Sequence, residues 1–195
     1  MNLLSEFLED PNAKKLERRS YGFSRIIQHL DTCDDGYIIE TGISRKPDNW
    51  SGDGMSTHWW NWVAKKKPFK VISIDIDESA CAWASSQFSS VEIICDDSVG
   101  ALSRLPKNTI EKTKLLYLDS FDWSMEQNLD SAFHHFKELA TVWDSLPQDC
   151  LIVIDDRHSD FWGKHAAVAA FFANLGIEPV FCDYQIGWKK PLMRK

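Results

Sequence analysis

No stretch of this chain stays apolar for the ~20 residues a helix needs to cross a bilayer. Its opening, Met1-Asn2-Leu3-Leu4-Ser5-Glu6, turns acidic too soon for a secretory leader. The five cysteines (Cys33, Cys81, Cys95, Cys150, Cys182) are odd in number and never spaced C-x-x-C, so they offer neither a zinc ribbon nor a disulfide frame. They fit reduced thiols in a cytoplasmic protein, with Cys95, Cys150 and Cys182 serving as small hydrophobes in apolar runs. Basic residues are in deficit, 22 against 29 acidic, for a net charge of −7. The clusters Lys65-Lys66-Lys67 and Lys189-Lys190 are too short to make a basic channel and read as solvated element ends. The chain also lacks an Asn-Pro-Pro-Tyr segment of the kind base-flipping enzymes use, so no nucleic-acid partner is expected. No repeat, low-complexity tract or linker divides the 195 residues. One domain over residues 1–195 is expected, with N-terminal helices in 1–32 and an α/β core in 37–195.

The sequence does carry ample core material, 44% hydrophobic with nine Trp and eleven Phe. Two apolar stripes at helical spacing open it, Leu3, Leu4, Phe7 and Leu8, then Phe23, Ile26, Ile27 and Leu30, with Pro11 between. Their apolar faces are available for packing on a second copy of the chain. Short runs follow that are apolar on both faces, as buried parallel strands are: Tyr37–Thr41, Phe69–Asp75, Val91–Cys95, Lys114–Asp119 and Cys150–Asp155. Helical patterns alternate with them. One spans 125–143 through Met125, Leu129, Phe133 and Phe136; another spans 161–175, capped by Ser159 or Asp160 and stopped by Gly176. Glu178–Asp183 and Gln185–Leu192 read as two adjacent strands. This alternation predicts an α/β, doubly wound, mostly parallel seven-stranded sheet with an antiparallel C-terminal strand. Ligands of such sheets bind beyond the carboxyl ends of the strands.

Those ends are acidic: Glu40, Asp75, Asp96-Asp97, Asp119 and Asp155-Asp156. Crowded carboxylates destabilise a fold unless cations or hydrogen-bond donors compensate them. The site is therefore expected to take hydroxyls, amines or a metal ion. Glu40-Thr41-Gly42 leads into a loop with Gly52-Asp53-Gly54-Met55-Ser56-Thr57, whose glycines permit close backbone approach to a ligand. The run is too long for G-x-G-x-x-G and has Thr57 at the third position, which argues against a pyrophosphate turn. Asp75 is placed to accept from both hydroxyls of a ribose. Asp119, Asp155 and Asp156 end neighbouring strands, where three carboxylates suit Mg2+.

The segments ETG, GDGMST, SIDID, CDDS, LYLDSFDW and LIVIDD follow in the order and spacing of class I S-adenosylmethionine-dependent methyltransferases. The resemblance covers residues 37–185 and is nearest to the small metal-dependent O-methyltransferases of the macrocin and catechol type. It implies a Rossmann-like methyltransferase fold, with S-adenosylmethionine as cofactor and Mg2+ as assisting ion. By the same resemblance Glu40 and Gly42 contact the methionine part of the cofactor, with Gly54 in the loop beside it and Ser56 or Thr57 holding its carboxylate. Asp75 takes the ribose and Ile76 lies against the adenine. Asp96, Asp97 and Ser98 approach the adenine amino group. Asp119 lies near the cofactor and joins Asp155 and Asp156 as a metal ligand. The loop is longer than the compact E-x-G-x-G form, and Ser120-Phe121-Asp122-Trp123 departs from the family's base position.

The implied reaction is in-line attack of a small molecule's hydroxyl on the sulfonium methyl, with the hydroxyl proton taken by Asp122 or His158. Trp50, Trp59, Trp60 and Trp62 flank the glycine loop, either as core or as a stacking surface for the acceptor. Two other functions compete. A nicotinamide-dependent oxidoreductase is disfavoured by the missing third glycine. A catalytically silent binding module would keep the fold and bind cofactor without turnover.

Overall fold

The computed structural model describes residues 2–192; Met1 and residues 193–195, the ends of the expected domain, lie outside the described residues. The N-terminal segment folds as α1 (Leu3–Glu9), a 3-10 stretch (Ala13–Arg19) and α2 (Ser20–Asp31). Asn2 caps α1 by accepting from the Ser5 N–H. Leu3, Phe7, Leu16, Phe23, Ile26, Ile27 and Leu30 are buried in this chain's own core, so the faces offered to a second copy are already covered. Leu8 breaks the expected first stripe and is exposed.

The strands are β1 (Gly36–Thr41), β2 (Phe69–Asp75), β3 (Val91–Cys95), β4 (Thr113–Leu118), β5 (Leu151–Ile154), β6 (Phe181–Cys182) and β7 (Ile186–Lys189). They form one seven-stranded sheet in the order β3-β2-β1-β4-β5-β7-β6. β1 to β5 pair in parallel, while β7 runs antiparallel to both β5 and β6, as the alternation of elements predicts. The intervening helices are α3 (Ser56–Ala64), α4 (Glu78–Gln87), α5 (Ser98–Arg104), α6 (Lys107–Ile110), α7 (Asn128–Val142) and α8 (Ala166–Asn174).

Side-chain alternation divides the core in two. Ile38, Val71, Leu115, Tyr117, Leu151 and Val153 face the layer built by α1, α2 and α3. Ile39, Ile72, Leu116, Ile152 and Ile154 face the layer that includes α5, α7 and α8. The same parity turns Glu40, Ser73 and Asp155 toward the first layer, and the register sets Glu40 opposite Ser73 on one side and Tyr117 on the other.

Several local expectations change. α8 starts at Ala166, not near 161. Ser159 caps no helix; its hydroxyl accepts from the N–H of Phe161 and Trp162 in a turn closed by the Arg157–Gly163 bridge. α7 turns Ser131, His135, Glu138 and Leu139 to the sheet and leaves Leu129 and Phe133 exposed, because a polar network takes the inward face. Cys150 is buried, but Cys95 and Cys182 are exposed at strand ends on the two flanks of the sheet. Lys67 and Lys190 are not merely solvated. Each ammonium closes a helix end, Lys67 on the carbonyls of Leu30, Asp31 and Cys33, Lys190 on those of Trp143 and Leu146.

Candidate active site

Two clefts lie beyond the carboxyl ends of the parallel strands, and the turn after β1 lies beside both, with Ile43 lining one and bonded to Asp75 of the other. Gly42 adopts φ 78°, its N–H donates to Ile74 O at 2.8 Å, and a Cβ on it would collide with the Asp119 carbonyl. Only glycine fits there. The next residue, Ile43, donates its N–H to Asp75 Oδ2 at 3.1 Å, which ties the turn to the end of β2.

The first cleft, of about 340 Å³, is bounded by Asp75, Ile76, Asp97, Ser98, Phe121 and His134. Asp75 is 6% exposed and accepts from Ile43 and from the Asp77 N–H, leaving further lone pairs for a ligand. Ile76 is 72% exposed with no cover of its own, an apolar surface that a flat ring would shelter. Ser98 Oγ and His134 Nε2 lie 2.9 Å apart across the cleft wall. Asp97 also caps α5 through the Gly100 N–H. Asp96 is turned outward onto Arg104 and does not line the cleft.

The second cleft, of about 160 Å³, is ionic, with Arg19, Arg45 and Lys164 facing Asp53, Asp119, Asp122 and Asp156. The proximity of Asp119, Asp155 and Asp156 expected from the sequence is present, but cations of the chain itself hold them. Arg19 Nε donates to Asp155 Oδ2 at 2.9 Å and its Nη2 to Asp156 Oδ1 at 3.1 Å. Lys164 Nζ pairs with Asp119 and lies 3.0 Å from Asp156 Oδ2. Tyr184 donates its hydroxyl to Asp156. Burial pushes Asp119 up, Lys164 opposes it, and the neighbouring Asp155 and Asp156 add to the rise. Burial would raise Asp156 too, but Lys164, Tyr184 and Arg19 outweigh it and bring the group to about 2.

This arrangement does not fit Mg2+. The ion needs several oxygens at ~2.1 Å in octahedral order. Here Lys164 stands between Asp119 and Asp156, and Arg19 spans Asp155 and Asp156. Among the described residues no cluster of His, Cys, Asp or Glu has the form of a metal site. Asp155 Oδ1 has no partner, but one free oxygen beside an arginine is not a divalent-ion site.

Other expected residues take up positions around the clefts. Glu40 is wholly buried and accepts from Thr57 Oγ1 at 2.8 Å, Trp60 Nε1 at 2.9 Å and Ser73 Oγ at 2.6 Å. Burial raises its carboxyl to about 7 against those donors. Thr57 Oγ1 in turn accepts from the Ser44 N–H, so Glu40 and Thr57 support the loop from beneath, and Ser56 is buried alongside. Gly54, at φ 69°, brings the loop within 2.6 Å of Arg19 Cδ, measured from where a Cβ would stand.

Asp122 reaches the ionic cleft in a two-pronged pair with Arg45, at 2.9 Å on each oxygen. That pairing holds its carboxyl below the usual range and weakens it as a base. His158 is exposed, stacks on Trp123 at 3.9 Å between centroids, and lines neither cleft. Trp59 and Trp60 lie in the core with Phe7, Phe23 and Tyr117, so they are no acceptor cage. Arg19, Arg45, Lys164 and Tyr184 were not expected at the site. Each lies outside the strand-end motifs, and no local pattern marks it.

No family model matches the sequence, and no curated protein does. Solved structures do match in fold. MycE, a methyltransferase from the mycinamycin biosynthetic pathway solved with Mg and SAH, aligns with TM-score 0.63 at 11% identity over 93% of this chain and 54% of its own. The chain thus spans about half the length of MycE. CalS11, a calicheamicin methyltransferase, gives 0.55 at 12% over 95% and 78%. A TehB-like SAM-dependent methyltransferase from Corynebacterium glutamicum gives 0.51 at 14% over 92% and 97%. What is shared at these identities is the course of the backbone, and the chain has the Rossmann-like fold of S-adenosylmethionine-dependent methyltransferases.

Proposed function

We propose that this protein transfers a methyl group from S-adenosylmethionine to a small polar acceptor. One observation carries the reading: a cleft of about 340 Å³ lined by Asp75 and Ile76 adjoins an ionic cleft lined by Ile43, whose N–H is bonded to that same Asp75. An adenosine fits the first, with its ribose hydroxyls donating to Asp75 and its base on Ile76, near Asp97 and Ser98. The methionine part then passes Gly42 and Asp119, which brings the sulfonium toward the second cleft and the acceptor.

The cleft's contribution is placement of the two reactants, acceptor and sulfonium methyl, in line with each other. A hydroxyl acceptor was the expectation from sequence, and it leaned on Mg2+ to acidify that hydroxyl. With the carboxylates paired to Arg19 and Lys164, the acceptor is proposed only as a small polar nucleophile, with Asp122 of the same cleft as the group proposed to take its proton.

A nicotinamide cofactor has less support. The N-terminus of α3 is buried, and its Thr57 hydroxyl is spent on Glu40, so this helix end is not offered to a pyrophosphate. Calorimetric titration with S-adenosylmethionine, S-adenosylhomocysteine and NADH tests the proposal. Binding of the first two and not the third is expected; NADH binding alone would overturn it. Cofactor binding without turnover across acceptor panels would leave the silent module as the better description.

A further inference from the structure

The carboxylates that end β4 and β5 occupy the place where this fold's resemblance puts a divalent ion, yet the chain has built two cations into the group. Arg19 arrives from the N-terminal layer, 136 residues from its partner Asp155, and is 3% exposed. Lys164 arrives from the loop before α8 and is 2% exposed. Its ammonium donates to Asp119 Oδ1 and to the Asp119 carbonyl at 3.4 Å, and lies 3.0 Å from Asp156 Oδ2 as an ion pair. The cation is thus held by groups from two strand ends at once. A lysine on the surface would be free to swing away from an arriving metal. This one is enclosed, and withdrawing it would leave a buried ammonium without partners. A divalent ion entering beside it would also meet two positive charges within a few ångströms.

We propose that Lys164, together with Arg19, is the resident counter-cation of this cleft, so that the site works without a divalent metal and Lys164 is the residue that keeps one out. Lys164 is a positioning residue on this account: it pairs with Asp119 and Asp156 and holds them where an acceptor meets the cofactor. The metal-exclusion part stands apart from the methyl-transfer reading; only the statement that turnover ignores metal rests on it.

The probe is Mn2+ alone, titrated into the full-length protein and followed by electron paramagnetic resonance of the free ion. The wild type is expected to leave Mn2+ free through the millimolar range, with a melting temperature unmoved by excess Mg2+ or EDTA. Lys164→Gln removes the charge and keeps most of the bulk; it is expected to bind one Mn2+ per chain at least about tenfold more tightly than the wild type, the scale of removing one close like charge. Lys164→Arg is expected to stay metal-free. One Mn2+ bound to the wild type at sub-millimolar strength would overturn the proposal. So would a folded Lys164→Gln variant that gains no affinity. The wild-type arm decides the question if the variant does not fold. Calorimetry with S-adenosylmethionine on the same wild-type samples separates the two readings: absent cofactor binding counts against methyl transfer, whereas metal uptake counts against Lys164.

Discussion

The guanidinium of Arg19 lies 2.9 Å from Asp155 and 3.1 Å from Asp156, and this one contact pins the N-terminal segment to the carboxyl end of β5. It also brings Arg19 to the Ser51 carbonyl at 3.1 Å, so the glycine loop is fastened to the same point. A structural anchor and a wall of the ionic cleft are thus one side chain.

Removing that side chain leaves two carboxylates buried with too few cations. Arg19→Ala is expected to cost about 3–5 kcal/mol of stability, the usual penalty for breaking a buried ion pair from one side. Asp155→Ala is expected to cost less than Arg19→Ala, because the arginine keeps Asp156 and the Ser51 carbonyl as partners. Urea unfolding at neutral pH measures both. Loss under 1 kcal/mol in each would show that the pair is not a fastening point.

Asp75 spends one lone pair on Ile43 and another on Asp77, and the remaining pairs face the larger cleft. Losing two charge-assisted hydrogen bonds at about 1.5 kcal/mol or more each weakens binding by about 100-fold. Asp75→Ala is expected to raise the Kd for S-adenosylhomocysteine by that order in calorimetry. An unchanged Kd would move the ribose elsewhere.

Glu40 gives the protein an alkaline limb. Burial raises its carboxyl from 4.5 to about 7 in the fold, so the folded state holds the proton more tightly than the unfolded chain does. Its contribution is complete below pH 4.5 and is lost as pH climbs through 7. Between pH 5 and 8 the loss from this group is about 2–3 kcal/mol. Urea midpoints across that range measure it, and Glu40→Gln, which has no proton to lose, is expected to flatten the slope.

On the acid side the sign reverses. Burial lowers His135 from 6.5 to about 4 in the fold, so the unfolded chain takes the proton first as pH drops. Its contribution is complete above 6.5 and fades toward 4, with about 2 kcal/mol gone at pH 5. His165, also lowered by burial to about 4, acts in the same direction. Denaturation of wild type and His135→Gln at pH 7 and pH 5 measures the difference, and the variant is expected to lose less on acidification.

Short runs apolar on both faces, spaced by helical patterns, were enough to define the parallel strands to within a residue or two and the order of elements along the chain. Burial on both faces imposes that composition wherever the strands sit, so the information is local. The acidic strand ends and Gly42 were legible for the same reason. A carboxylate closing an apolar run and a glycine at a forced positive φ each leave a mark in a few consecutive residues. The helix bounds near 161 and 125 were misplaced because Phe161, Trp162 and Met125 look like core in sequence, while the turn at Ser159 and the polar inward face of α7 leave them exposed.

What the sequence determined by itself was the sheet, its acidic edge and the glycine turn, since each follows from neighbours in the chain. Which charges meet across that edge was decided only by tertiary structure. Arg19 and Lys164 reach Asp155 and Asp119 over separations of 136 and 45 residues. An ion pair leaves no periodicity behind, and its partners are chosen by how the layers stack on the two faces of the sheet. That stacking set two of the chain's own cations among the three carboxylates expected to hold a metal.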